Sequence, residues 1–142
     1  MVVAPPDPSL VPWSPERLED LEDEELDALA RASGRALVAS RVLLGRCLLE
    51  LDRRGLAHEW GFSGAIHYAI LVLKISRKAA REARRVARGL QALPRMAAKA
   101  EAGELGWSHL REAVRVATPE TEAAWIQAAE RLRWRVLSLI HI

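Results

Sequence analysis

Apolar residues in this chain recur at helical rather than strand spacing, in blocks separated by Gly, Pro, Ser and Thr. The sharpest block is 76–90, SRKAAREARRVARGL. At ~100° per residue, Ala79, Ala80, Ala83, Val86, Ala87 and Leu90 share one face. Arg77, Lys78, Arg81, Arg84, Arg85 and Arg88 share the other. Upstream, Leu26, Leu29, Leu37, Leu44, Cys47, Leu48 and Leu51 keep the same period and predict a long helix from about Asp23 to Arg54. Gly34 and Gly45 interrupt it, each at a cost of ~1 kcal/mol relative to Ala unless another helix packs closely there.

Local punctuation predicts the remaining elements. Residues 1–13 are Pro-rich and read as a disordered start, and Ser14-Pro15-Glu16 reads as an N-cap opening a short acidic helix. Gly55 should end the long helix, with AHEWGFSG forming a turn or short bend after it. Ser63 is then expected to cap a helix over 64–73, Lys74-Ile75 to make a tight turn, and Ser76 to cap the basic helix. Leu93-Pro94 stops that helix and starts another, to about Ala102, before Gly103. Ser108 should cap a helix to Ala117, and Thr118-Pro119-Glu120 should open one to about Leu132. No stretch carries a strand signal. The expected fold is all-α: a compact multi-helix bundle with a long N-terminal scaffold helix, a single domain over 14–136, and a helix-turn-helix-like pair over 65–86. In that pair Ala69, Leu73, Ile75, Ala80 and Ala83 take core spacings, Ile70 stands where a small residue is usual, and Lys74 stands where glycine is common.

Charge changes the picture. The net charge of +2 conceals a split. Residues 1–31 carry nine acids against Arg17 and Arg31, a net −7, whereas 32–142 hold 19 basic and 10 acidic residues, a net +9. Within the basic helix, Arg77/Arg81, Arg81/Arg85 and Arg84/Arg88 are like-charge i,i+4 pairs, which oppose helix formation unless a polyanion supplies the countercharge. The pattern points to DNA as partner, with Arg77, Arg81, Arg84, Arg85 and Arg88 neutralising phosphates and Lys74 and Lys78 at the edges. A solvated cationic face, or one covered by the acidic residues 16–27, is the competing reading.

Candidate chemistry is thin. Cys47 is the single cysteine, so no internal disulfide forms, and its apolar spacing places it as a small core residue. His58, His67 and His109 lack metal-ligand spacing, and His67 reads as a core or boundary residue. Trp60, Trp107, Trp125 and Trp134 are expected as core anchors, with base stacking the alternative, and Trp107 reads as a hydrophobic staple just before its helix. No GxSxG, HExxH or GxxxxGK[ST] occurs, and the chain contains no asparagine. No catalytic site and no cofactor are expected in it. The first residues lack a signal-peptide pattern and no apolar run is long enough to span a membrane, so a soluble cytoplasmic protein is the expectation. The last six residues, LSLIHI, match the translation of a sequencing-library adapter; 137–142 are read as a scar with a β-prone character, which would make the chain an N-terminal fragment.

From residue 51 to about 136 the text carries LDRRGL, WGFS with HYA, ISRKAAREARRVA, LP, AGELGWSHLRE and VATPETE. These segments resemble a bacterial helical domain of unknown function, the 13E12-repeat (DUF-222) type, commonly found N-terminal to an HNH endonuclease domain. The most specific pieces are 102–111 and 116–122. The resemblance implies a parent nuclease whose catalytic histidines, asparagine and divalent metal belong to a C-terminal domain missing from this chain. The function so implied is a non-catalytic DNA-binding or target-positioning domain. The alternative is a helical protein-interaction module, a homodimer included, with no direct DNA contact.

Overall fold

In the computed structural model, residues 18–140 are described, with side chains over 18–131. The Pro-rich start, the Ser14 cap and the side chain of Trp134 lie outside these. Contacts divide the chain into Met1–Gly34 and Arg35–Ile142. Seven helices and no strand occur among the described residues: α1 (Asp23–Arg54), α2 (Leu56–Glu59), α3 (Ala65–Leu71), α4 (Arg77–Leu90), α5 (Pro94–Glu101), α6 (Trp107–Val116) and α7 (Glu122–Ile140). None is long and apolar enough to cross a membrane.

The long helix has the predicted bounds, and its ends show why. Asp23, Glu24 and Glu25 meet the positive end of the helix dipole, and the Glu25 carboxylate accepts from the Glu22 N–H at 3.3 Å. At the other end Gly55, with φ +65°, turns the chain out of the helix. Arg53 and Arg54 both bond Glu50 there and hold its carboxyl down at about 2, from an ordinary 4.5. In the first unit α1 carries an Asp27–Arg31 pair at 3.1 Å, and its Leu26 is exposed.

The second unit is built around α4, which packs on α3, α5 and α6. One core cluster joins Val42, Val86, Leu90, Leu93, Met96, Leu110 and Ile126. A smaller one joins Leu48, Ala65, Ile66, Ala69 and Ala80. Both draw on α1 and α4, so these two helices share a seam. Gly45 makes the seam possible. A Cβ there would collide with the Ala83 carbonyl and stand 2.8 Å from the Ala87 methyl. A Cβ at Gly34 would meet no described residue within 4 Å, so only one of the two interruptions allows a close approach. The apolar stripe of α1 is correspondingly half used. Leu48 is buried and Leu44 and Leu51 pack beside it, but Leu37 is 55% exposed. Cys47 is exposed as well, against expectation. One residue before Leu48, it is rotated ~100° from the seam and lines an open groove with Leu43, Arg46 and Glu101.

Several helix starts differ from those predicted. Ser63 does not cap α3; its N–H donates to His67 Nδ1 at 3.0 Å, and Asp52 Oδ1 accepts from the Ala65 N–H at 3.0 Å. In α5 Pro94 takes the first turn as expected, while Glu122 of α7, buried, accepts from the Met96 N–H at 3.2 Å. Trp107 begins α6 rather than preceding it, with Gly106 at the cap position. The last helix starts later than predicted, because residues 118–121 close into a turn in which the Thr121 hydroxyl accepts from the Thr118 N–H at 2.8 Å. It then runs to Ile140, so the backbone of 137–140 is helical and not an extended tail.

The two interior glycines of α1 should separate cleanly by urea denaturation. Gly45→Ala should lose ~2 kcal/mol or more, because the clash is with backbone. Gly34→Ala should gain ~0.5–1 kcal/mol. Equal effects at the two positions would contradict the seam.

Candidate nucleic-acid interface

The helix-turn-helix-like pair is α3 and α4, joined by residues 72–76. Ala69, Ala80 and Ala83 are buried and Ile75 is half-buried, as their spacing predicts. Leu73 is not a core residue: it is exposed, and Ile75 packs on the small cluster instead. The turn is tight because Lys74 adopts φ +59°, the left-handed conformation that glycine supplies without strain. Ser76 then caps α4, its Oγ accepting from the Ala79 N–H at 3.1 Å.

The expected DNA-facing residues divide into three groups. Arg84 is turned to the side: its Nη1 donates to Asp52 Oδ2 at 2.8 Å, the same carboxylate that caps α3. Only 26% of that side chain is exposed, so this pair works in a partly desolvated setting. Arg85 lies against the opposite flank, with Nη1 and Nη2 donating to the Arg111 carbonyl at 3.2 and 3.3 Å. A carbonyl fixes the guanidinium without cancelling its charge. The third group is Lys74, Arg77, Lys78, Arg81 and Arg88, all exposed. None of them forms an ion pair with another described residue of the 35–142 unit.

Glu82, the one acid in α4, is also accounted for. The Trp107 indole N–H donates to its Oε1 at 2.6 Å, and Arg111 stands 3.8 Å from the same oxygen. Trp107 lies partly buried on the larger core with the Arg41 guanidinium 5.4 Å above its ring. Trp125 packs on that core too, so both behave as the anchors expected. Trp60 departs from that expectation. It is 50% exposed, with its ring 5.7 Å from that of Tyr68.

Arg115 of α6 was not among the expected residues, and it lines a ≈ 480 Å³ groove together with Arg77, Lys78, Arg81, Glu82 and Arg85. The signal was present in the sequence. Arg111 and Arg115 repeat on α6 the like-charge i,i+4 spacing of α4. No family model, curated protein or solved structure matches this chain.

Arg84 and Arg88 should therefore respond differently to truncation. Arg84→Ala leaves Asp52 half-satisfied and should cost ~1 kcal/mol in a denaturant titration. Arg88→Ala should stay within ~0.5 kcal/mol of the parent. Similar losses in both would remove the distinction between them.

Proposed function

We propose that this chain is a non-catalytic DNA-binding or target-positioning domain that acts with an HNH-type nuclease domain, binding through phosphate contacts made by α4. The observation that carries this reading is the outer face of α4. Arg77, Lys78, Arg81 and Arg88 stand there exposed and without an acidic partner among the described residues of their unit, while Arg84 and the carbonyl-bound Arg85 hold the helix in place. A chain under no demand for anion binding gains nothing from like charges at i,i+4. Lys74 adds to the argument. A lysine at φ +59° costs ~1 kcal/mol relative to glycine, and its cation stands exposed at the entrance to α4. The link to a nuclease rests on the segments resembling the 13E12-repeat type, and any divalent metal would belong to that other domain. Contacts of this kind position a protein on DNA without reading its sequence.

A second reading, a protein-interaction module, draws on Leu71, Val72 and Leu73, which are exposed together at the end of α3. It predicts a concentration-dependent mass in light scattering and weak, salt-insensitive DNA binding.

Four to six neutralised phosphates should give a slope of about −4 to −5 for log K against log salt with a duplex of arbitrary sequence. Arg77→Ala with Arg81→Ala should reduce that slope by about 2. No binding at low salt, or a slope indifferent to the double substitution, would exclude the proposal.

A further inference from the structure

The α4–α6 groove has a feature that a single exposed basic face lacks: cations on two walls. Arg77, Lys78, Arg81 and Arg85 come from α4, and Arg115 comes from α6. The one carboxylate in the groove, Glu82, is already engaged by the Trp107 indole and faces Arg111. Among the described residues, five cations therefore line an open groove of ≈ 480 Å³ that holds a single, occupied counter-charge.

Arg85 is preset for an anion. Its two bonds to the Arg111 carbonyl fix the plane of the guanidinium and leave other N–H donors of the fork unused. Less conformational entropy is then lost when an anion binds it, which favours affinity over that of a free surface arginine. Arg115 is exposed and forms no ion pair with the described residues of its unit, so it can swing onto the same anion from the other side.

Packing on both flanks of α4 limits how it meets DNA. Asp52 of α1 holds Arg84 on one side, and α6 holds Arg85 and Glu82 on the other. A major groove ~12 Å wide admits a single α-helix, and α6 packed beside α4 widens what would have to enter it. Here the face that remains is narrow and entirely basic.

We propose that the groove between α4 and α6 seats the phosphate backbone of duplex DNA, with Arg115 as a nucleic-acid-binding residue opposite Arg77 and Arg81, so that α4 grips the backbone instead of reading bases. The proposal rests on the DNA-binding reading above and specifies the site and mode of contact. Arginines on the two walls of the groove can approach neighbouring phosphates from both sides.

The test is fluorescence anisotropy of the full chain with a labelled duplex of scrambled sequence at two salt concentrations. The variants are Arg115→Ala, Arg115→Lys and Arg95→Ala, the last an exposed arginine on α5 that does not line the groove. Circular dichroism checks that each is folded. Arg115→Ala should weaken binding five-fold or more and reduce the salt slope by about 1, with most of the loss restored in Arg115→Lys. Arg95→Ala should change affinity less than two-fold. Three scrambled duplexes should bind within about two-fold of one another. An Arg115→Ala effect no larger than that of Arg95→Ala, while α4 variants still lose binding, would overturn the groove and leave the DNA-binding reading standing. No duplex binding by the parent protein would overturn both. Poly-glutamate competing as well as DNA, with the same dependence on Arg115, would overturn the assignment of the occupant.

Discussion

The close approach of α1 and α4 at Gly45 is the constraint on which the second unit depends. Two helix backbones meet there with only Ala83 and Ala87 between them, and no side chain at position 45 fits without displacing the Ala83 carbonyl. Because the back of α4 is alanine where it meets the scaffold, that helix sits deep between its neighbours. Its long cationic side chains can then point only sideways or outward. Those at the sides meet built partners, a carboxylate on one flank and a backbone carbonyl on the other. Those at the front meet solvent. Packing on one face thus determines the electrostatics of the opposite one.

The Asp52 carboxylate couples this arrangement to the turn. One oxygen closes the first turn of α3 and the other holds Arg84. A single side chain at the end of the scaffold helix therefore sets the relation of α3 and α4. Glu122 does comparable work from α7, bonding the first turn of α5 from a buried position. Carboxylates serve both places because helix N-termini present unpaired N–H groups and a positive dipole end.

This explains which parts of the fold were legible in the sequence. Several local determinants act as predicted, since Ser76 caps α4, Gly55 ends α1, Pro94 enters α5, and Gly103 leaves it at φ +71°, although the local turn at 118–121 delays α7. Where the determinant lies far along the chain, the prediction fails. Ser63 has the right chemistry for a cap, but Asp52 takes the role from 13 residues away. Cys47 and Leu73 keep an apolar period and still end exposed, because periodicity does not reveal how wide a stripe the neighbouring helices cover. The candidate site follows the same rule. The basic face of α4 could be read from spacing alone. The engagement of Arg84 and Arg85, and the arrival of Arg115 from α6, required the packing.

In the proposed DNA-binding reading the arginines of α4 have separate roles, those at the front binding DNA and Arg84 holding the fold. Side-chain Nε–H NMR spectra of the arginines, recorded while a duplex is added at low salt, test it most directly. The Arg77, Arg81 and Arg88 signals should shift together while Arg84 stays in place. Uniform small shifts across all arginines, or a response centred on Arg84 with the front residues unchanged, would contradict it.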